Sequence, residues 1–185
     1  MLRVLQINLH HSKVASANLL LVLSKGDYDV ALIQEPWLWG DRICGLRACD
    51  FAMVQSMQGK VRSCILYRKN LNALFLPNLS DADVTAISLT EGDKSVWLAS
   101  AYLPYEREDI PGEAMERLVR EAASLAVPLI IGADSNPHHT IWGSSNVNPR
   151  GECLYNFILE THLVVANLGS EPTFIINIRE GQRKR

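Results

Sequence analysis

Polar side chains of the kinds that bind metal ions and phosphates stand at the ends of four apolar, strand-like runs. Asn8 ends the first run, Glu35 follows the second, Tyr102 ends a third, and Asp134 with Asn136 ends a fourth. Rigid scaffolds commonly present functional side chains at such strand ends. This placement indicates a single site built from all five residues.

Taken singly, each of these residues also has a structural interpretation. Asn8 is of a type that forms turns, and Asp134 with Asn136 is typical of an Asx turn that closes a strand. Glu35 fits a salt bridge or a helix cap, although a carboxylate directly after a buried strand is costly unless it is paired or bound to a metal. Tyr102 fits a strand-end aromatic with its hydroxyl in water. Their joint occurrence favours function.

The chemistry that these side chains suit together is metal-assisted hydrolysis of a phosphodiester. Carboxylate and amide oxygens match Mg²⁺, which keeps several waters and takes only one or two carboxylates, and such a metal stabilises a leaving oxygen. An aspartate at a strand tip can orient or deprotonate the attacking water. A tyrosine hydroxyl and asparagine amides can donate to the phosphate oxygens as charge develops there.

The elements that position these residues are short strands and helices in mixed order. Apolar runs predict buried strands at Leu2–Ile7, Val30–Ile33, Cys64–Tyr67, Val96–Ala101 and Leu129–Gly132. The alternating run Val84–Leu89 predicts a weaker strand at a sheet edge. Helical spacing predicts helices at Ser16–Ser24, Pro111–Ala126 and Gly151–Thr161. Because strands and helices do not alternate strictly, the pattern indicates layered α+β architecture rather than a doubly wound sheet.

Composition indicates a globular, intracellular protein of one domain. The chain has 185 residues, of which 48% are hydrophobic and 21% charged, close to globular averages. A net charge of −2 argues against a simple DNA-coating protein but not against a nuclease, whose metal site needs carboxylates. The four cysteines show no zinc spacing, the chain starts without a leader-like segment, and no apolar run approaches the roughly 20 residues of a membrane span.

The order of the motifs resembles that of the endonucleases of non-LTR retrotransposons. The shared motifs are Gln6-Ile7-Asn8, Gln34-Glu35-Pro36-Trp37, Ala101-Tyr102-Leu103-Pro104, the run from Gly132 to Gly143, Asn148-Pro149-Arg150-Gly151 and Pro172-Thr173-Phe174. Together they extend over about residues 2–175. The run Gly132-Ala-Asp-Ser-Asn-Pro-His-His, followed by Trp142-Gly143, is the most specific, and it favours the retroelement branch over a phosphatase of the same fold.

The resemblance implies a fold and an activity. The fold is the four-layer α/β sandwich of the endonuclease/exonuclease/phosphatase superfamily, related to apurinic endonucleases, with two facing sheets and outer helices. The activity is hydrolysis of DNA with Mg²⁺ or Mn²⁺ by direct water attack, which nicks the duplex and exposes a 3′ hydroxyl for reverse transcription. DNA is then the partner, no membrane is involved, a reverse transcriptase domain is expected downstream, and action on chromosomal DNA implies a nuclear location.

The resemblance also assigns roles to individual residues. Glu35 is implied as the principal metal ligand, with Asn8 beside it. Tyr102 is implied to contact the scissile phosphate, and Asp134 and Asn136 to position the nucleophilic water and the phosphate. Asn148 is implied as a further contact to the substrate.

The sequence departs from the family's pattern in two places. His10 and His11 follow Asn8 where many enzymes of the superfamily carry an acidic residue. After Phe174 the family continues to a Ser-Asp-His motif, which this sequence lacks. We therefore expect an incomplete domain over residues 1–175 without its last strands, a divergent basic tail over 176–185, and impaired activity. The alternative is a non-catalytic relic or a DNA-binding fragment of such a domain.

Overall fold

A computed structural model describes residues 1–56, 59–106 and 110–167. The chain divides into two compact units, Met1–Pro137 and His138–Arg185. The predicted boundary at residue 175, the basic tail and the segment expected to lack the last strands lie outside the described residues. In the part of the chain that is described, no helix is long and apolar enough to cross a membrane.

The first unit contains two four-stranded sheets. The first sheet has the order β1-β2-β6-β5, and the second has the order β10-β9-β8-β7. The strands of the first sheet are β1 (Val4–Asn8), β2 (Val30–Gln34), β5 (Phe51–Val54) and β6 (Ser63–Arg68). Those of the second are β7 (Ala73–Phe75), β8 (Val84–Glu91), β9 (Lys94–Leu103) and β10 (Leu129–Ser135).

The side chains of strand β2 pack alternately into two different layers of the core. Val30 and Leu32 pack with Ile65 and Leu98, so this face of the first sheet meets the second sheet. Ala31 and Ile33 belong instead to the cluster formed with Leu19 and Leu23 of α1 (Lys13–Ser24). Burial on both faces explains why β2 reads as a continuous apolar run.

Helix α2 (Glu113–Ser124) lies on the side of the first unit that contains the second sheet. Its buried residues recur at helical spacing, as the sequence predicts: Ala114, Met115, Leu118, Val119 and Ala122. Ala114 and Met115 line one small cavity together with Val84 and Tyr102. The predicted layering of two facing sheets with helices is therefore confirmed.

The strand predictions located all five apolar runs but were wrong on two points. β1 and β10 are only partly buried, since each pairs on one side only among the described strands. β8 is not an edge strand, because it pairs with β9 on one side and β7 on the other. Its alternation arises because Thr85, Ile87 and Leu89 face the first sheet, where Ile87 and Leu89 pack in the inter-sheet core. The sequence did not predict β5, β7 or the small hairpin of β3 (Leu38–Trp39) and β4 (Arg42–Ile43).

The second unit contains α3 (Pro149–Glu160), which begins at an Asn148 cap whose side chain accepts a hydrogen bond from the Gly151 N–H. The same Asn148 oxygen accepts from the His138 N–H at 3.2 Å. A Cβ at Gly151 would meet the His138 carbonyl oxygen at 1.8 Å. The Asn-Pro-Arg-Gly motif therefore joins the start of α3 to the backbone of His138, and only glycine fits at its end.

A buried polar network joins the two sheets directly beneath the strand ends. The Gln34 side chain is fully buried, and its amide donates to Ser100 Oγ at 2.9 Å and to the Gly132 carbonyl at 3.0 Å. Its oxygen accepts from Gln6 at 2.6 Å, and Ser100 donates to the Ile33 carbonyl. Every polar atom of the Gln34 carboxamide is thus paired, which removes the cost of burying it.

We expect Gly132→Ala to lower the free energy of unfolding by about 1–3 kcal/mol, the usual cost of overpacking a core. A Cβ at this position would lie 2.7 Å from Leu32 Cδ1 and 2.9 Å from Gln6 Cγ, so these side chains would have to shift or the sheets would have to separate. Urea denaturation measures the change. The cost should shrink when Leu32 is shortened to valine in the same chain, and an unchanged midpoint for Gly132→Ala alone would contradict the close approach.

Candidate active site

Asn8 connects the two sheets at their common edge, where it bridges two carboxylates. Its side-chain nitrogen donates to Glu35 Oε2 at 2.9 Å and also to Asp134 Oδ2. Strands β1 and β2 run parallel with Asn8 beside Gln34, and β9 and β10 run parallel with Tyr102 beside Asp134. Parallel strands end at the same edge of a sheet, so residues that follow these runs converge there.

The Asn8 side chain also closes a turn, as the structural interpretation of this residue predicts. Its oxygen accepts from the His10 N–H at 2.6 Å. An asparagine binds a metal through this oxygen, which retains a second lone pair. The turn therefore uses the oxygen of the Asn8 amide, and the two carboxylates use its nitrogen. Metal binding by Asn8 stays a prediction.

The turn from His10 to His11 places both imidazole rings against Glu35. His10 Nδ1 lies 3.5 Å from Glu35 Oε2, and His11 Nε2 lies 3.4 Å from Oε1. His10, His11 and Glu35 all have positive φ, at 47°, 52° and 46°. Non-glycine residues held in this region cost about 1–3 kcal/mol each and cluster at functional sites. The Glu35 side chain is 15% exposed and lies against both imidazole rings. The positive φ angles of the three residues destabilise the backbone that holds this arrangement.

Asp134 has an altered acidity in this setting. Burial raises the pKa of its carboxyl, and the nearby charge of Glu35 raises it further, whereas the hydrogen bond from Asn8 and the charge of His10 lower it. The net shift is upward. Two partly buried carboxylates that share one amide donor therefore repel each other, which a bound cation would relieve.

Tyr102 faces the same carboxylates and is held beside Asn136. Burial, followed by the negative charges of Glu35, Glu106 and Asp134, raises the pKa of the Tyr102 phenol, while a hydrogen bond from Asn136 lowers it. The shift is again upward overall, so the phenol keeps its proton at neutral pH and remains a hydrogen-bond donor. The Asn136 amide also donates to the Leu103 carbonyl at 3.0 Å.

A cleft beside Glu35 adds two basic residues that the sequence did not single out. Its volume is about 420 Å³, and its lining includes Lys60 and Arg62 together with Glu35, Tyr102 and Glu106. Arg62 precedes β6, which runs antiparallel to β2 with Ser63 beside Gln34. The signal was available in the sequence, because the start of an antiparallel neighbour lies at the same edge as the end of β2.

Of the predicted site residues, five come together and one lies in the other unit. Asn8, Glu35, Tyr102, Asp134 and Asn136 all belong to the first unit and share the edge described above. Asn148 belongs to the second unit, where its side chain caps α3 and holds the His138 backbone. His138 and His139 also belong there; His138 contacts Asn146 and His139 stacks on Tyr155.

The donor set at the shared edge suits a hard divalent cation. Glu35 and Asp134 supply carboxylate oxygens, and Mg²⁺ takes one or two of these while it keeps several waters. Among the described residues, no group of three or more histidine, cysteine, aspartate or glutamate side chains is arranged to hold a metal ion. The fit therefore depends on the two carboxylates and on the oxygen of Asn8.

Solved structures of low identity share this fold. An endonuclease/exonuclease/phosphatase family protein from Leptotrichia buccalis is 15% identical over 87% of this chain and 73% of its own, with a TM-score of 0.55. The human Nocturnin catalytic domain, solved with a bound sulfate anion, is 15% identical over 88% of this chain and 71% of its own, with a TM-score of 0.53. No curated protein matches the sequence.

Two further comparisons narrow the relationship. A family model described as endonuclease-reverse transcriptase matches residues 96–180. The endonuclease domain of TRAS1, a telomere-specific non-LTR retrotransposon, is 28% identical over 98% of this chain and 80% of its own, with a TM-score of 0.81. The chain therefore has the α/β fold of the endonuclease/exonuclease/phosphatase superfamily. Within that superfamily it resembles the non-LTR retrotransposon endonucleases, as the motif order predicts.

We expect Asp134→Asn to raise the melting temperature at pH 7. A carboxyl whose folded-state pKa lies above its unfolded value of about 3.9 destabilises the fold when ionised, and this cost is absent once the pH falls below the unfolded pKa. The gain should therefore shrink steadily as the pH is lowered toward about 4. Thermal unfolding followed by circular dichroism across this range measures it.

Asp93→Asn is the matched control, since it removes one carboxylate from the exposed turn between β8 and β9. A gain for Asp134→Asn that is independent of pH, or a loss at pH 7, would contradict the assigned origin of the shift.

Proposed function

We propose that this chain is a Mg²⁺-dependent DNA endonuclease domain of a retroelement, which nicks DNA by direct attack of water on a phosphodiester. The observation that carries the proposal is the Asn8 amide shared by Glu35 and Asp134, since it holds two carboxylates of different strands at one point. The resemblance to the TRAS1 endonuclease domain supports DNA as the substrate. Mn²⁺ is expected to replace Mg²⁺.

In this proposal Glu35 is the principal metal ligand and Asn8 lies beside it. When bound, the metal supplies charge that stabilises the oxygens of the scissile phosphate. Asp134 accepts the proton of the attacking water or orients that water, a role that its raised pKa and part-buried position suit. The hydrogen bond from Asn8 and the charge of His10 favour the ionised form of Asp134, against burial and the charge of Glu35.

Tyr102 and Asn136 act on the phosphate side. The Tyr102 phenol keeps its proton, so it can donate to a non-bridging oxygen as negative charge develops there. The Asn136 amide donates one hydrogen bond to the Tyr102 phenol and another to the Leu103 carbonyl. Asn148 as a substrate contact stays a prediction, since its observed hydrogen bonds are those of a helix cap.

Impaired activity also stays a prediction. It depends on the Ser-Asp-His motif, which the 185-residue sequence lacks, and the residues after 167 lie outside the described ranges. A reverse transcriptase domain downstream and a nuclear location are inferred from the family alone. The competing possibility of a non-catalytic relic is decided by the same assay as the main proposal.

The test is conversion of supercoiled plasmid to open circles by the whole chain in Mg²⁺. We expect slow nicking that depends on the metal and falls by about 10²-fold or more in Glu35→Ala, the scale of losing one transition-state group. Glu121→Ala, which removes an exposed glutamate of α2, should nick like the unmodified chain.

Three results would decide against parts of this proposal. Nicking by Glu35→Ala at the rate of the unmodified chain would reject Glu35 as the ligand. The absence of metal-dependent nicking by the unmodified chain would favour the relic. A rate equal to that of an endonuclease domain that carries the Ser-Asp-His motif would instead reject the prediction of impaired activity.

A further inference from the structure

Arg62 is held by two acidic side chains at the edge of the site. Its Nε and Nη2 donate to the two carboxylate oxygens of Asp83, the Nη2 bond measuring 2.8 Å, and its Nη1 donates to Glu106 at 3.0 Å. The Asp83 side chain is only 3% exposed. A planar guanidinium with several fixed donors suits such a two-pronged pairing, whereas a lysine ammonium does not.

The guanidinium that Asp83 fixes lies over the ring of Tyr102. Arg62 Cζ stands 5.4 Å from the ring centroid, within the range of a cation–π contact. Asp83 also holds the Tyr102 backbone, because its carbonyl accepts from the Tyr102 N–H at 2.9 Å. The ring and the backbone of Tyr102 are therefore both fixed by one pair of residues.

The backbone of Arg62 is tied to the site in the same way. The Glu35 N–H donates to the Arg62 carbonyl at 2.8 Å, and the Arg62 N–H donates to the Ala82 carbonyl at 2.7 Å. Arg62 thus spans the interval between the carboxylate edge of the first sheet and the start of β8 in the second. Movement of this residue would change the distance between Glu35 and Tyr102.

We propose that Arg62, locked by Asp83, is a positioning residue that orients the Tyr102 ring so that its hydroxyl faces the phosphate side of the site. This inference rests on the proposed function. Arg62 acts through Tyr102 rather than on the substrate, because each of its three guanidinium nitrogens already donates to a carboxylate. Its removal should therefore lower the rate of cleavage without weakening DNA binding.

The chain offers a matched control on the same strand. Arg68, at the other end of β6, lies over the Phe51 ring at 5.0 Å and pairs with Asp29 at 3.4 Å. The Arg62 and Arg68 side chains are both 23% exposed. Arg68→Gln therefore removes a similar arginine–aromatic–aspartate contact far along the strand from the carboxylates, and it should reduce stability alone.

The experiment compares Arg62→Gln, Arg62→Lys and Arg68→Gln in plasmid nicking with Mg²⁺, at a temperature where all are folded. We expect both Arg62 variants to lose roughly 10- to 100-fold in kcat, the scale of misplacing a group by about 1 Å, with KM for DNA unchanged. Tyr102→Phe should add little to the loss in Arg62→Gln. A raised KM with unchanged kcat, full rescue by lysine, or independent losses for the two sites would overturn the proposal.

A second measurement keeps this inference separate from the proposed function. In the unmodified chain, NMR should show Overhauser contacts between the Arg62 side chain and the Tyr102 ring, with the ring signals assigned through Tyr102→Phe. These ring signals should shift in Arg62→Gln and stay in place in Arg68→Gln. Unshifted Tyr102 signals in Arg62→Gln would reject the positioning role whether or not the chain nicks DNA.

Discussion

The buried carboxamide of Gln34 is the constraint on which the site depends. It ties β2 to β9 and β10 by hydrogen bonds to Ser100 and to the Gly132 carbonyl, and the next residue along the chain is Glu35. A buried amide that lost one of these partners would cost about 1–3 kcal/mol. The register between the two sheets, and with it the distance from Glu35 to Asp134, is therefore fixed by a network centred on a fully buried carboxamide.

Glycine at position 132 is the steric counterpart of this network. The Gly132 carbonyl accepts from Gln34 while its α-carbon leaves room for Leu32 and Gln6. With the sheets this close, a single asparagine amide spans Glu35 and Asp134. The site is thus a consequence of how closely the two sheets pack. Two of its features are unfavourable for the fold: the positive φ of Glu35 and the raised pKa of the Asp134 carboxyl.

The sequence predicted much of this arrangement because the relevant strands are apolar runs, of which β2 is buried throughout. Apolar runs located β1, β2, β9 and β10, and the polar residue at the end of each run proved to lie at the common edge. The alternation of β8 was misread as an edge strand, since one of its faces packs between the sheets. Arg62 and Asp83 were missed because they precede antiparallel strands, and the start of such a strand reaches the same edge as the ends of its neighbours.

The hydrogen bonds of Asn148 and the short strands β5 and β7 were not predicted from the sequence, for a different reason. The Asn148 motif was interpreted through a family resemblance, whereas its hydrogen bonds are local ones to Gly151 and His138. A capping asparagine and a phosphate-binding asparagine have the same residue type and spacing, so only coordinates distinguish the observed bonds. The short strands β5 and β7 carry weak patterns and form because longer neighbours offer them a paired edge.

The central claim is that Glu35 and Asp134 form one metal-binding edge, and paramagnetic broadening by Mn²⁺ tests it most directly. In ¹⁵N-labelled protein, substoichiometric Mn²⁺ should first remove the amide signals of Asn8, Glu35, Tyr102 and Asp134, while the signal of Arg68 at the far end of β6 persists. Glu35→Ala should abolish this selectivity. Broadening centred elsewhere in the first unit, or the same pattern in Glu35→Ala, would contradict the account.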